Sequence, residues 1–194
     1  MNHYKAALPY RDMIAGIGLD SNEYRRPPLL FQEVFSLARR DGFRITMHCD
    51  VGQDNTHEHI RQVAGEIGGY GTDRIDHGLN AVESQELLDT IRKKGLGMTI
   101  CPWSYIRHQP PDEVFESIRM LIDQGVKISI ASDDPAFMED TWLLENLLAL
   151  KKFCRLTNDD LVRLQRDAVE MSWASEETKT KILEELNEFA KEAA

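Results

Sequence analysis

Short β-branched apolar runs alternate with longer amphipathic stretches along most of this chain, which is the pattern of repeated βα units around a parallel sheet. The runs IAGIGL (14–19), FRITMH (43–48), DRIDH (73–77), GMTIC (97–101) and VKISIAS (126–132) predict five strands. Their ends fall roughly thirty residues apart, the size of one βα unit. Between them, apolar residues recur at helical spacing. Leu30, Val34, Phe35 and Ala38 form one stripe behind Pro27 and Pro28, and proline suits a first helical turn. That helix stops at Gly42, VESQELLDTIRKKG ends on basic residues and Gly95, and DEVFESIRMLIDQG ends on Gly125, each a favourable C-terminus. After Pro135 the predicted helices run to the end of the chain. They are TWLLENLLALKKFCR, then LVRLQRDAVEMSW behind a Thr157-Asn158-Asp159-Asp160 start, then 175–193 with Ser175 as its cap. No linker or low-complexity segment interrupts the series, so the expectation is one α/β domain over 1–194.

Composition narrows the class of ligand more than the fold. With 194 residues, 42% hydrophobic and 29% charged, the chain can bury a core, and disorder is not the default. A net charge of -10 argues against a nucleic-acid backbone or an anionic membrane as the main partner, because both need clustered Lys and Arg. A small neutral or cationic ligand stays open. The cysteines, Cys49, Cys101 and Cys154, are odd in number and widely spaced, which fits neither a disulfide framework nor a zinc ribbon and implies a reducing compartment. No apolar run approaches a membrane span, and the start lacks an apolar segment behind a basic one. The expected location is the cytoplasm by default, with the nucleus not excluded.

Polar residues cluster directly behind the apolar runs: Asp20-Ser21, His48-Cys49-Asp50, His77-Gly78 and Asp133-Asp134-Pro135. In parallel βα architectures the side chains at strand C-terminal ends converge on one mouth, so residues distant in sequence can share a site. One histidine alone is more often a satisfied core or surface residue, and Asp-Asp-Pro alone reads equally well as a turn. Two histidines and an aspartate pair, all behind strands of the same polarity, point instead to shared chemistry. Imidazole and carboxylate together suit Zn2+, which lowers the pKa of a bound water to about 7.

On these residues the chain resembles the adenosine/adenine deaminase family of metal-dependent hydrolases over nearly its whole length. RIDHG (74–78), ICPWS (100–104) and SIASDDPAF (129–137) match the family's later motifs in order and spacing. GLDSNEYRRPP (18–28) resembles the adenine deaminase branch in particular, and LTNDDLVRLQRDAVEMSWASEETKTKIL resembles the closing helices. The resemblance implies a partial (β/α)8 barrel, about strands 4–8, with C-terminal helices. It implies one Zn2+ and attack of water on C6 of a purine with loss of ammonia. By position, His48 and Asp133 would be zinc ligands, with Asp133 also contacting the attacking water. His77 would orient or deprotonate that water, Asp134 would hydrogen-bond the purine ring, and Ser21 would lie in the loop at the ring's far edge.

Two departures accompany the likeness. The family's first-strand H-x-H, which supplies two zinc ligands, has no counterpart here. The lone H-x-H, His57-Glu58-His59, reads as the start of a helix over IRQVAGEIGG, where positions i and i+2 do not share a face. The H-A-G-E motif reads His48-Cys49-Asp50-Val51, so Val51 stands where the family has its acid; Cys49 reads as packing. An N-terminally incomplete domain is therefore expected, with barrel edges open to self-association. Three readings follow: a purine deaminase, a silent relative that binds a purine or a partner chain, and a hydrolase of a non-purine amine or amide.

Overall fold

A computed structural model describes residues 1–192, so the last predicted helix is seen to Glu192 and its final residue, Ala193, lies outside the described residues. The chain divides into two compact units, Met1–Leu96 and Gly97–Ala194.

The first unit opens with α1 (Asn2–Ala7) and a 3-10 segment, Leu8–Met13, which the apolar pattern did not predict. Then β1 (Gly16–Leu19), α2 (Gln32–Arg40), β2 (Arg44–Cys49), α3 (Thr56–Gly65), β3 (Arg74–His77) and α4 (Gln85–Lys94) follow in order. β1 pairs with β2 and β2 with β3, both in parallel, with Leu19 opposite Met47 and Met47 opposite Ile75. Parallel neighbours require crossovers, which the intervening helices supply.

Alternation along β2 is clean: Ile45, Met47 and Cys49 are fully buried, while Thr46 and His48 are only partly so. The buried side is the helix side, since a Cβ at Gly68 would lie 2.9 Å from Ile45 Cδ1 and 3.5 Å from the Phe35 carbonyl of α2. Asp73 knits the layers together: Arg39 Nη1 of α2 and the Ile45 N–H of β2 donate to the same carboxylate oxygen at 2.7 and 2.6 Å. α1 contributes Tyr4, packed edge-on against Phe43 and beside Ala38.

One sequence expectation fails in this unit. Leu30 is 65% exposed and does not share the buried side with Phe35 and Ala38. The turn at Pro28–Phe31 is 3-10, with i to i+3 spacing, and α2 begins only at Gln32, so Leu30 is rotated out of the stripe.

The second unit holds β4 (Gly97–Ile100), α5 (Pro102–Ile106), α6 (Pro111–Asp123), β5 (Lys127–Ile130), α7 (Leu143–Phe153), α8 (Asn158–Met171) and α9 (Glu176–Glu192). β4 and β5 pair in parallel, with Ile100 opposite Ile130. Thr157 caps α8 as its sequence suggests: Thr157 Oγ1 accepts from the Asp160 N–H at 3.1 Å, and the Asp160 carboxylate accepts from the Thr157 N–H at 3.0 Å. α8 lies against the sheet so closely that a Cβ at Gly97 would sit 2.4 Å from the Met171 side chain. Asn146 of α7, fully buried, accepts from the Trp103 N–H at 3.0 Å and so ties α7 to the segment after β4. α5, absent from the apolar pattern, is a single short turn begun by Pro102.

Candidate active site

The loop leaving β1 and the ends of β2 and β3 build the chemistry of the first unit. His48, on the less buried side of β2, has its two ring nitrogens in different hands. Nδ1 makes a short contact with the Glu23 carboxylate, and Nε2 lies 2.7 Å from His77 Nε2. The rings meet edge to face, with centroids 4.2 Å apart and planes at 87°.

His77 reaches this position by leaving the strand conformation. In register it sits opposite Cys49, on the side that Ile75 and Met47 share, and strict alternation would send its ring under the helices. Its φ of 65°, followed by φ 76° at Gly78, ends the alternation, and the ring lies against His48. Non-glycine residues in this region are uncommon and cluster at functional sites.

Glu23 is held from several directions. Its Oε1 accepts from the Asp50 N–H at 2.7 Å, and its Oε2 faces His59 Nδ1 at 3.7 Å. Burial alone would raise its pKa, but the His48 hydrogen bond, the Asp50 N–H and the two nearby imidazoles hold it below the usual carboxylate value. His48 shows the complementary balance. Burial works to lower its pKa, yet the hydrogen bond and charge of Glu23, with Asp50 and Asp76, raise it above that of a free histidine. Asp76 sits opposite His48 in the register and accepts from Thr46 Oγ1 at 2.6 Å. A small cavity of about 50 Å³ opens here, lined by Asp20, Asn22, Glu23, Arg26, Phe31 and His48 among others.

Ser21 follows β1 with an exposed side chain and a left-handed backbone, φ 73°. In the second unit Asp133 and Asp134 follow β5; Asp133 is also left-handed, φ 58°, and Asp134 begins a 3-10 turn in which its carbonyl accepts from the Phe137 N–H at 2.9 Å. The turn reading of Asp-Asp-Pro is thus realised without removing either carboxylate from a strand end. His57 and His59 do open α3 and face apart: His57 is exposed and bonds Glu83 at 2.9 Å, while His59 is buried. Val51 is 6% exposed, and Cys49 is fully buried with its thiol pKa pushed well up by desolvation, an inert packing group.

Glu23 is the residue that sequence reasoning passed over. It lies two positions after Ser21, in the segment that carried the resemblance, and an acid so near a strand end was the available signal.

Among the described residues no helix is long and apolar enough to cross a membrane. Within each unit the strands pair in parallel with polar residues behind them, an α/β architecture that is part of a (β/α)8 barrel, as in the solved structures it matches. A crystal structure of a zinc-bound cog1816 amidohydrolase from Burkholderia ambifaria superimposes with a TM-score of 0.85 and 27% identity, covering 98% of this chain and 53% of that one. The chain belongs to the adenosine deaminase family, whose sequence profile matches residues 3–189. An uncharacterised deaminase of Schizosaccharomyces pombe, C1683.02, is 43% identical over 185 residues, 95% of this chain and 53% of its own length. The adenine deaminase of Rhodospirillum rubrum is 32% identical over 170 residues, 87% of this chain and 49% of its own. The chain therefore spans about half the length of these relatives.

Proposed function

We propose that this chain carries strand-end residues of a zinc-dependent enzyme that hydrolytically deaminates an adenine-type purine. The observation that carries the reading is the His48–His77 pair, two imidazoles in direct contact at the ends of adjacent parallel strands.

The donor chemistry fits Zn2+ at His48. A metal-binding histidine commonly donates its second ring N–H to a carboxylate, and His48 Nδ1 meets Glu23 while Nε2 is turned to the strand end. Bound Zn2+ would polarise water and bring its pKa to about 7. Within this reading His48 and Asp133 would hold the ion, and Asp133 would also accept a hydrogen bond from the attacking water. His77 orients that water and takes its proton as oxygen bonds to C6. His77 then returns that proton to the exocyclic nitrogen, the C6–N bond breaks and ammonia leaves, while C6 keeps the hydroxyl. Asp134 hydrogen-bonds the purine ring, and Ser21 contacts its far edge. The relatives named adenine deaminase support adenine over a nucleoside.

One residue favours a second reading. Val51, buried where the family has an acid, can protonate nothing, and a positioned acid supplies roughly 10²- to 10⁴-fold. A purine-binding protein without turnover would show that deficit.

Ammonia release from adenine, adenosine and adenosine monophosphate, measured with and without added Zn2+, tests both. Zinc-dependent release from adenine supports the deaminase reading. Saturable adenine binding without ammonia moves the assignment to the silent binder, and turnover of a non-purine amine alone moves it to an amidohydrolase of other specificity.

A further inference from the structure

We propose that Glu23 is a positioning residue, which fixes His48 in the Nδ1–H tautomer and presents its Nε2 lone pair at the end of β2. The role deepens the deaminase reading given above, on which its link to metal binding rests.

Glu23 comes from the loop after β1, and its carboxylate has no slack. Oε1 is shared between the Asp50 N–H, at 2.7 Å, and His48 Nδ1. The Glu23 side chain is only 11% exposed and that of His48 17%, so water competes poorly for either group. An ionised carboxylate has no proton to give and can only accept. His48 Nδ1 must therefore carry a hydrogen, which in the neutral ring leaves Nε2 bare. His77 Nε2, at 2.7 Å, is then the donor to it, so one proton placement at Glu23 fixes the tautomer of both rings.

The Asp50 N–H is part of the device. Asp50 follows β2 directly, so the backbone that positions His48 also positions the acceptor of its Nδ1–H. Burial of His59, whose Nδ1 is 3.7 Å from Glu23 Oε2 and has no hydrogen-bond partner, closes the other side of the carboxylate. The second oxygen is thereby denied solvent on that side, which keeps the carboxylate from rotating away from His48. A surface ion pair would have neither constraint.

The test uses the full chain without metal, 15N-labelled, at mildly alkaline pH where the imidazoles are neutral. Long-range proton–nitrogen correlations should show His48 protonated at Nδ1 and bare at Nε2. In Glu23→Ala the ring should revert toward Nε2–H, the form free histidine favours in water. Glu23→Gln, whose amide oxygen still accepts, should restore Nδ1–H at least in part. An Nε2–H ring in the unmutated chain would overturn the proposal without any variant, as would a tautomer that Glu23→Ala leaves unchanged. Zn2+ affinity, read by competition with a chromophoric chelator, should fall about 10- to 100-fold in Glu23→Ala. Failure of the unmutated chain to take up Zn2+ through His48 would count against the deaminase reading, whereas the tautomer decides the role of Glu23 by itself.

Discussion

His48 and His77 meet through their Nε2 atoms, 2.7 Å apart, although the residue paired with His77 across the sheet is Cys49. Replacing His77 with alanine is expected to lower kcat for adenine by ~10²- to 10⁴-fold with KM nearly unchanged. Steady-state kinetics of ammonia release checks this, and a rise in KM of that size with kcat unchanged would recast His77 as a substrate-binding residue.

Gly97 and Met171 leave no room for a side chain between β4 and α8, since an added Cβ would meet Met171 at 2.4 Å. Gly97→Ala should destabilise the chain by about 1–3 kcal/mol, the usual range for overpacking. Met171→Ala should cost stability alone but recover part of that loss when combined. Urea denaturation of the two single variants and the double variant closes the cycle, and strict additivity would refute the contact.

Gly71 should tolerate substitution less well than Gly97. Its φ is 100°, and a Cβ there would lie 2.2 Å from the Ala64 carbonyl oxygen, a backbone atom that cannot swing aside as a methionine can. Gly71→Ala is expected to lower the urea midpoint more than Gly97→Ala does; the reverse order would place the backbone differently at the end of α3.

Asp167 of α8 gives a pH-dependent expectation. Burial, and then the charge of Glu170, raise its pKa above the usual 3.8, and Lys127, Arg163 and Arg166 only partly offset them. A folded pKa above the unfolded one means that its stabilising contribution is complete below the unfolded pKa and is lost as pH rises through the folded pKa. Asp167→Asn should therefore stabilise the protein near neutrality and lose that advantage below pH 3.8. Urea midpoints of both proteins from acid to neutral pH measure it, and a constant difference would show that ionisation is not the cause.

Much of this fold was legible because it is repetitive. Apolar runs and their glycine stops located the five strands of the described residues and their long helices to within a few residues, since burial under crossover helices leaves a strong period in the sequence. What escaped was local. α1 and α5 are too short to carry a period, and Leu30 left its predicted stripe because the turn before α2 is 3-10. At the site, His48 and His77 stood out as polar residues behind apolar runs. Their contact did not, because it depends on a backbone dihedral that no residue pattern encodes. Glu23 was hidden for another reason: its partner is 25 residues away, and only the parallel pairing of β1 with β2 brings the two together.

The left-handed backbone of His77 and Gly78 also bears on anyone who would transplant this chemistry. Grafting the four residues Arg74–His77 onto a regular strand of another barrel would carry the letters of the motif and lose its function, with the imidazole delivered beneath the host's helices. The portable module is the strand together with its exit, Gly78 included, and the adjoining strand that supplies His48.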